Sequence, residues 1–129
     1  MKCKASDLTF RPMRLSDLPS IMAIERRAFP NPWSPSAFVA ELTDNVYAYY
    51  TVALLGRRIV AYGGMWLIID EAHITNIAVH PDHWGEGIGD ALLTELERVA
   101  KTRGMRSMTL EVRVSNHVAQ NLYRKHGFT

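Results

Sequence analysis

The chain has 129 residues, 47% apolar and 22% charged, a mix that suits one folded domain spanning 1–129 and is too hydrophobic for a disordered one. Fifteen Lys and Arg against 13 Asp and Glu leave a net charge of +2, and Arg26-Arg27 and Arg57-Arg58 are isolated pairs, so no direct nucleic-acid partner is expected. Apolar runs stop well short of the roughly 18 residues of a membrane span, Met1-Lys2-Cys3-Lys4 opens no signal region, and a lone Cys3 closes no internal disulfide, so a cytoplasmic protein with no membrane partner is expected.

Leu8 to Met13 alternates apolar and polar residues and predicts an opening strand, with Pro12 favouring a sheet edge. A helix follows, with Ser16 as N-cap, Asp17 at the positive end of the dipole, Pro19 in the first turn, and Leu18, Ile21, Ile24 and Ala28 as its apolar stripe. Pro30-Asn31-Pro32-Trp33 breaks it. Ser34-Pro35 then reads as a second cap and first turn, opening a short helix through Phe38 and Leu42. Trp33 suits either a staple onto that helix or the rim of a groove.

Val46 to Leu55 and Arg58 to Ile69 are rich in Tyr, Val, Ile and Thr and flank a Gly56-Arg57 turn, which predicts an antiparallel pair. Asp70-Glu71 turns the chain into a third strand, His73 to Val79. After a Pro-containing loop, Gly85-Glu86-Gly87-Ile88-Gly89 opens a helix with Ile88, Leu92, Leu96 and Val99 on one face, ending at Gly104. Ser107 to Val114 alternates as a strand, and Asn116 can cap a last helix carrying Val118, Ala119, Leu122 and Tyr123. The order βααβββαβα predicts an α/β sandwich on a mixed sheet, its last strand-helix-strand unit parallel.

Glycines alternating between a strand and a helix let the backbone approach a ligand, and the unpaired N–H groups with the helix dipole favour an anion such as pyrophosphate. The P-loop form fails because no Gly-Lys followed by Ser or Thr occurs. A dinucleotide loop needs a third glycine where Asp90 or Leu92 stands, and a three-strand meander does not build the corresponding half-fold. A different pyrophosphate ligand is left.

Asn76-Ile77-Ala78-Val79-His80-Pro81-Asp82, the Gly-x-Gly-x-Gly helix, Leu110-Glu111-Val112-Arg113 with Ser115-Asn116, Asn121-Leu122-Tyr123 and His126-Gly127-Phe128 together resemble the GNAT superfamily. Within it they are similar to the bacterial ribosomal-protein-alanine N-acetyltransferases, as are Ala28-Phe29-Pro30 and Pro32-Trp33-Ser34. The resemblance implies a three-layer sandwich with a centrally splayed sheet and acetyl-CoA as co-substrate. It places the pantetheine arm along Ile77, Ala78 and Val79, the pyrophosphate at Gly85, Glu86, Gly87, Ile88, Gly89 and Asp90, and Asn116 on the arm, although Asn116 is equally good as a helix cap. Trp84 stands where the family has Gln or Arg, and Glu86 and Asp90 where it often has basic residues; their charge disfavours a pyrophosphate unless it points into solvent.

The resemblance also assigns Glu111 as general base and Tyr123 as general acid, since an amine must be neutral to attack a thioester. An α-amine of pKa about 8 costs roughly 1.4 kcal/mol to deprotonate at pH 7, and a lysine near 10.4 about 4.6 kcal/mol, so a single modest base suits a protein N-terminus, and the resemblance implies that of a ribosomal protein. Lysine or small-amine acetylation, and an acyl-CoA-binding or interaction domain without turnover, stay open. His80 and His83 lack a Cys partner and the family uses no metal, so no metal is expected and both read as polar loop residues. Family members continue past the Gly-Phe pair into a further strand pair, so the expectation is a chain that lacks its last two strands.

Overall fold

The computed structural model describes residues 7–110. Strands β1 (Leu8–Pro12), β2 (Ala48–Leu55), β3 (Arg58–Ile68), β4 (Glu71–Val79) and β5 (Ser107–Leu110) form one five-stranded sheet in the order β1-β2-β3-β4-β5. The first three pairings are antiparallel and β5 joins β4 in parallel, from Glu71 beside Ser107 to Ile74 beside Leu110. The sheet is therefore mixed, as the order of elements requires. Any splay past Leu110 and the final helix lie outside the described residues.

Helices α1 (Leu18–Ala28) and α2 (Pro35–Thr43) cover one face and α3 (Ile88–Thr102) the other. Side-chain alternation along β4 divides the core: Ile77 and Val79 pack with Leu92, Leu93 and Leu96 of α3, while Ala78 joins Ile21, Ile24, Phe38 and Tyr62 beneath α1 and α2. Each fully buried leucine of α3 contributes roughly 1.5–3 kcal/mol.

The predicted start of α1 is displaced. A 3-10 turn, Leu15–Asp17, precedes it, and Asp17 rather than Ser16 occupies the N-cap position without capping through its side chain. The Asp17 carboxylate instead accepts from the Arg11 guanidinium at 2.7 and 2.9 Å and from the Arg14 N–H at 2.8 Å, tying β1 to the turn. Hydrogen bonding to Arg11, against an opposing push from burial, holds Asp17 below the usual carboxylate pKa. A lowered native value stabilises the fold above the unfolded Asp pKa of about 3.9, and the benefit disappears as pH falls through the native value. Denaturant unfolding of Asp17→Asn should accordingly show a lower midpoint at pH 7 and a gap to wild type that closes toward acid; a pH-independent gap would remove the ion pair as its cause.

The second helix starts as expected. Ser34 Oγ accepts the Ala37 N–H at 3.2 Å, Pro35 fills the first turn, and Trp33 meets Phe38 with ring centroids 5.3 Å apart, the geometry of a hydrophobic staple. Strand β2 begins at Ala48 rather than Val46 because Asn45 Oδ1 accepts the Tyr47 N–H at 3.0 Å and holds a turn there.

Candidate active site

The site begins at the C-terminal end of β4. The His80 N–H donates to Val60 O on β3 at 2.8 Å, so by strand alternation Val79 and Ile77 direct their backbone groups to the opposite side and Ala78 directs its own to β3. The arm-binding segment expected at Ile77, Ala78 and Val79 thus has two residues aimed away from β3. The Trp84 indole N–H donates to Val79 O at 2.7 Å, so the residue that departs from the family pattern folds back onto this edge.

Beyond Val79 a 3-10 turn, Pro81–His83, leads into the glycine segment. Gly85 has φ +82° and Gly87 φ +80°, a backbone that costs an L-residue about 1–2 kcal/mol. A side chain at Gly85 would meet nothing within 4 Å, so conformation rather than space dictates glycine there. Gly87 is the N-cap of α3 and offers no side chain, and the first intrahelical bond runs from the Ala91 N–H to Gly87 O at 3.1 Å. The helix consequently presents its first-turn N–H groups and positive dipole end at the mouth of the loop. Gly89 differs from the other two glycines, lying buried inside the first turn of α3. Glu86 is not aimed at an incoming anion: its carboxylate meets His83 Nδ1 at 3.0 Å, with both side chains largely covered. Asp90 sits in the first turn of α3.

Two carboxylate centres, one half-buried and one buried, escaped the sequence-based expectations. Glu41 on α2 accepts from the Tyr50 hydroxyl and the Trp66 indole, each at 2.9 Å, and from Asn45 Nδ2 at 2.6 Å; Asn76 of β4 donates to Tyr50 Oη at 3.2 Å. Burial, more than any neighbour, raises the Tyr50 pKa, so its phenol stays protonated and donates. Glu25 on α1 is fully buried and accepts the Trp33 N–H at 2.7 Å and the Tyr62 hydroxyl. Its sequence signal was its position four residues after Ile21, on the apolar stripe where a carboxylate needs partners. His80, expected as a polar loop residue, is 9% exposed. Glu111, Asn116 and Tyr123 lie outside the described residues, and among those described no cluster of three metal-ligating side chains occurs.

The profile of the acetyltransferase (GNAT) family matches residues 18–128. The chain belongs to the GNAT acetyltransferase family. It is an acetyl-CoA-dependent N-acetyltransferase. A Bacillus subtilis protein provisionally named ribosomal protein bS18-alanine N-acetyltransferase is 41% identical over 127 residues, covering 98% of this GNAT chain and 82% of that protein. The enzyme of the same name from Escherichia coli K12 is 36% identical over 93% of this chain and 80% of its own length. The crystal structure of the Escherichia coli ribosomal-protein-S18-alanine N-acetyltransferase superposes with a TM-score of 0.82 at 33% identity, covering 93% of this chain and 76% of that one.

The residues present fit the co-substrate of a GNAT enzyme. Gly85 and Gly87 shape a side-chain-free helix entrance suited to a pyrophosphate, Ile77 and Val79 turn their backbone groups away from β3, with Val79 O already accepting from Trp84, and Glu86 is held by His83. Acetyl-CoA supplies an acetyl thioester open to attack by a neutral amine. Backbone groups of this segment would hold it, and a backbone cradle does not need a Gln or Arg at the position of Trp84.

Proposed function

We propose that this enzyme acetylates the N-terminal α-amine of a protein, with the alanine terminus of a ribosomal protein as the closest precedent among its named relatives, by direct attack within a ternary complex. The observation that carries the cofactor half is the left-handed pair Gly85 and Gly87 opening α3 at the end of β4. In this reading Ile77 and Val79 pair with the pantetheine arm and Ala78 braces them through β3. The first turn from Gly87 to Asp90 receives the pyrophosphate, and Asn116 reaches the arm. Glu111 takes the proton of the ammonium, directly or through water, and Tyr123 returns one to the departing thiolate. The substrate and its acceptor protein would meet the enzyme in the cytoplasm.

The names of the relatives support the α-amine over lysine, and the deprotonation cost, about 3 kcal/mol lower for the α-amine, supports it independently. Titration calorimetry with CoA, followed by transfer assays on alanine-starting peptides, lysine peptides with blocked termini and polyamines, tests the proposal. CoA should bind, and alanine-starting peptides should be acetylated at the α-amine with the highest kcat/KM. Preferred transfer to lysine or a polyamine would overturn the acceptor assignment, and absence of CoA binding at millimolar ligand would overturn the cofactor site.

A further inference from the structure

On the α1 face of the sheet, where β2 turns into β3, a cavity of about 350 Å³ is lined by Arg11, Asp17, Ser20, Arg57, Arg58 and His80, among others. Its size falls at the lower end of ligand pockets, roughly 300–1,000 Å³. No residue from Trp84 to Asp90 lines it, so it is separate from the entrance of α3.

Its charges are unbalanced. Asp17 is the carboxylate in the lining, and Arg11 already holds it with two hydrogen bonds while the Arg14 N–H adds a third. Arg57 and Arg58 are exposed at the hairpin and carry no ion pair among the described residues. Two adjacent arginines therefore line the cavity with no ion pair of their own, although the field of Arg58 reaches Asp82, which Arg27 already holds.

His80 adds a second, independent sign. Its Nδ1 lies 3.1 Å from the Asp82 N–H and its Nε2 lies 3.3 Å from Arg27 Nη1, both donors. A neutral imidazole accepts at one nitrogen only, so whichever nitrogen carries the proton, a donor meets a donor. Burial foremost, with Arg27, Arg58 and His83 adding to it against Asp82, keeps this imidazole below its ordinary pKa and so neutral near pH 7. An anion in the cavity would relieve both the guanidinium repulsion and the field on His80.

We propose that this cavity binds a small phosphate-bearing anion, gripped by Arg57 and Arg58 with Ser20 and His80 beside it. Phosphate suits the site better than a carboxylate because a doubly charged tetrahedral group can engage two guanidinium forks at once. The site would act alongside acetyl transfer, and its existence does not depend on which amine is acetylated.

Inorganic pyrophosphate is the probe, added to the full chain saturated with CoA, with the His80 ring resonances followed by NMR and the affinity measured by calorimetry. The expected result is a saturable His80 shift with a raised imidazole pKa, and a loss of pyrophosphate affinity of at least about tenfold in the Arg57→Gln, Arg58→Gln double variant. That variant should keep wild-type CoA affinity and its circular dichroism spectrum, since both side chains are exposed. An unmoved His80 resonance, or equal pyrophosphate affinity in the double variant, would overturn the proposal. Binding seen only without CoA would assign the anion to the α3 entrance and overturn it equally.

Discussion

Glu111→Gln is expected to lower kcat by roughly 10²–10³ while leaving CoA affinity unchanged, because a positioned general base contributes about 10²–10⁴ and the amide cannot accept the ammonium proton. At pH 7 an α-amine of pKa about 8 is neutral about one time in ten, so the deficit should shrink as pH rises from 7 toward 9 and free amine becomes abundant. With a lysine acceptor the same recovery would wait until about pH 10. Tyr123→Phe should lose less, about tenfold to a hundredfold, because a leaving thiolate resembling cysteine, with pKa near 8.5, departs with modest help. Steady-state transfer at several pH values, paired with CoA calorimetry, measures both. Wild-type rates in the two variants would dismiss both roles, and loss of CoA binding in Glu111→Gln would make that residue a binding group.

The largest stability effect is expected at Glu25. Its fully buried carboxylate accepts the Trp33 N–H and the Tyr62 hydroxyl, linking α1, the turn before α2, and β3. Glu25→Ala strands both buried donors at about 1–3 kcal/mol each and opens a cavity besides, so a loss of about 3–5 kcal/mol is expected. Glu25→Gln keeps one acceptor oxygen but turns an NH₂ toward donors, and should cost less than the alanine change. Urea unfolding at constant m-value provides the measurement. Combining Glu25→Ala with Tyr62→Phe should cost less than the sum of the two, since the phenylalanine removes one orphaned donor. Additive losses, or a Glu25→Ala midpoint equal to wild type, would show that the carboxylate holds nothing.

Local physics made much of this fold legible. Ser34-Pro35 specified its own helix start, Gly56 its hairpin, and Gly85 and Gly87 a turn that other residues adopt only with strain. Misplaced boundaries had long-range or competing causes. Ser16 looked like a cap because nothing nearby reveals that Arg11, six residues before Asp17, would draw the carboxylate away from the helix end. Val46 and Tyr47 carry strand propensity, but the Asn45 side chain turns the backbone before β2 can begin. The tyrosines around β2 divide: Tyr50 is buried at 3% exposure, Tyr47 precedes the strand at 54%, and Tyr49 packs on the opposite face, toward α3. Glu41 and Glu25 were hidden because a carboxylate on a helix is ordinarily solvated, and their donors arrive from 4 to 37 residues away.

Of the candidate site, the left-handed glycine loop could be read from residue type and spacing, because backbone conformation there depends on the residues themselves, whereas the part of β4 came only from the family resemblance. Trp84 could not. Its bond to Val79 O requires the 3-10 turn Pro81–His83 to bring the indole back over the strand, a geometry no pairwise spacing encodes. Nor did the sequence reveal that Glu86 is drawn aside by His83.

The seating of α3 makes its core and its entrance one mechanical object. Fifteen residues at 1.5 Å each give a rod roughly 22 Å long, with Gly87 at one end and Val99 and Ala100 near the other. A tilt of about 3° about that far end would sweep the entrance through roughly 1 Å, a displacement that can reduce catalysis about a hundredfold. Methyl groups of Leu96 and Val99 act as the bearing of a pointer whose tip is the glycine-lined helix entrance. A cavity opened beneath them would be felt first as lost aim at the glycines, before the fold itself gave way.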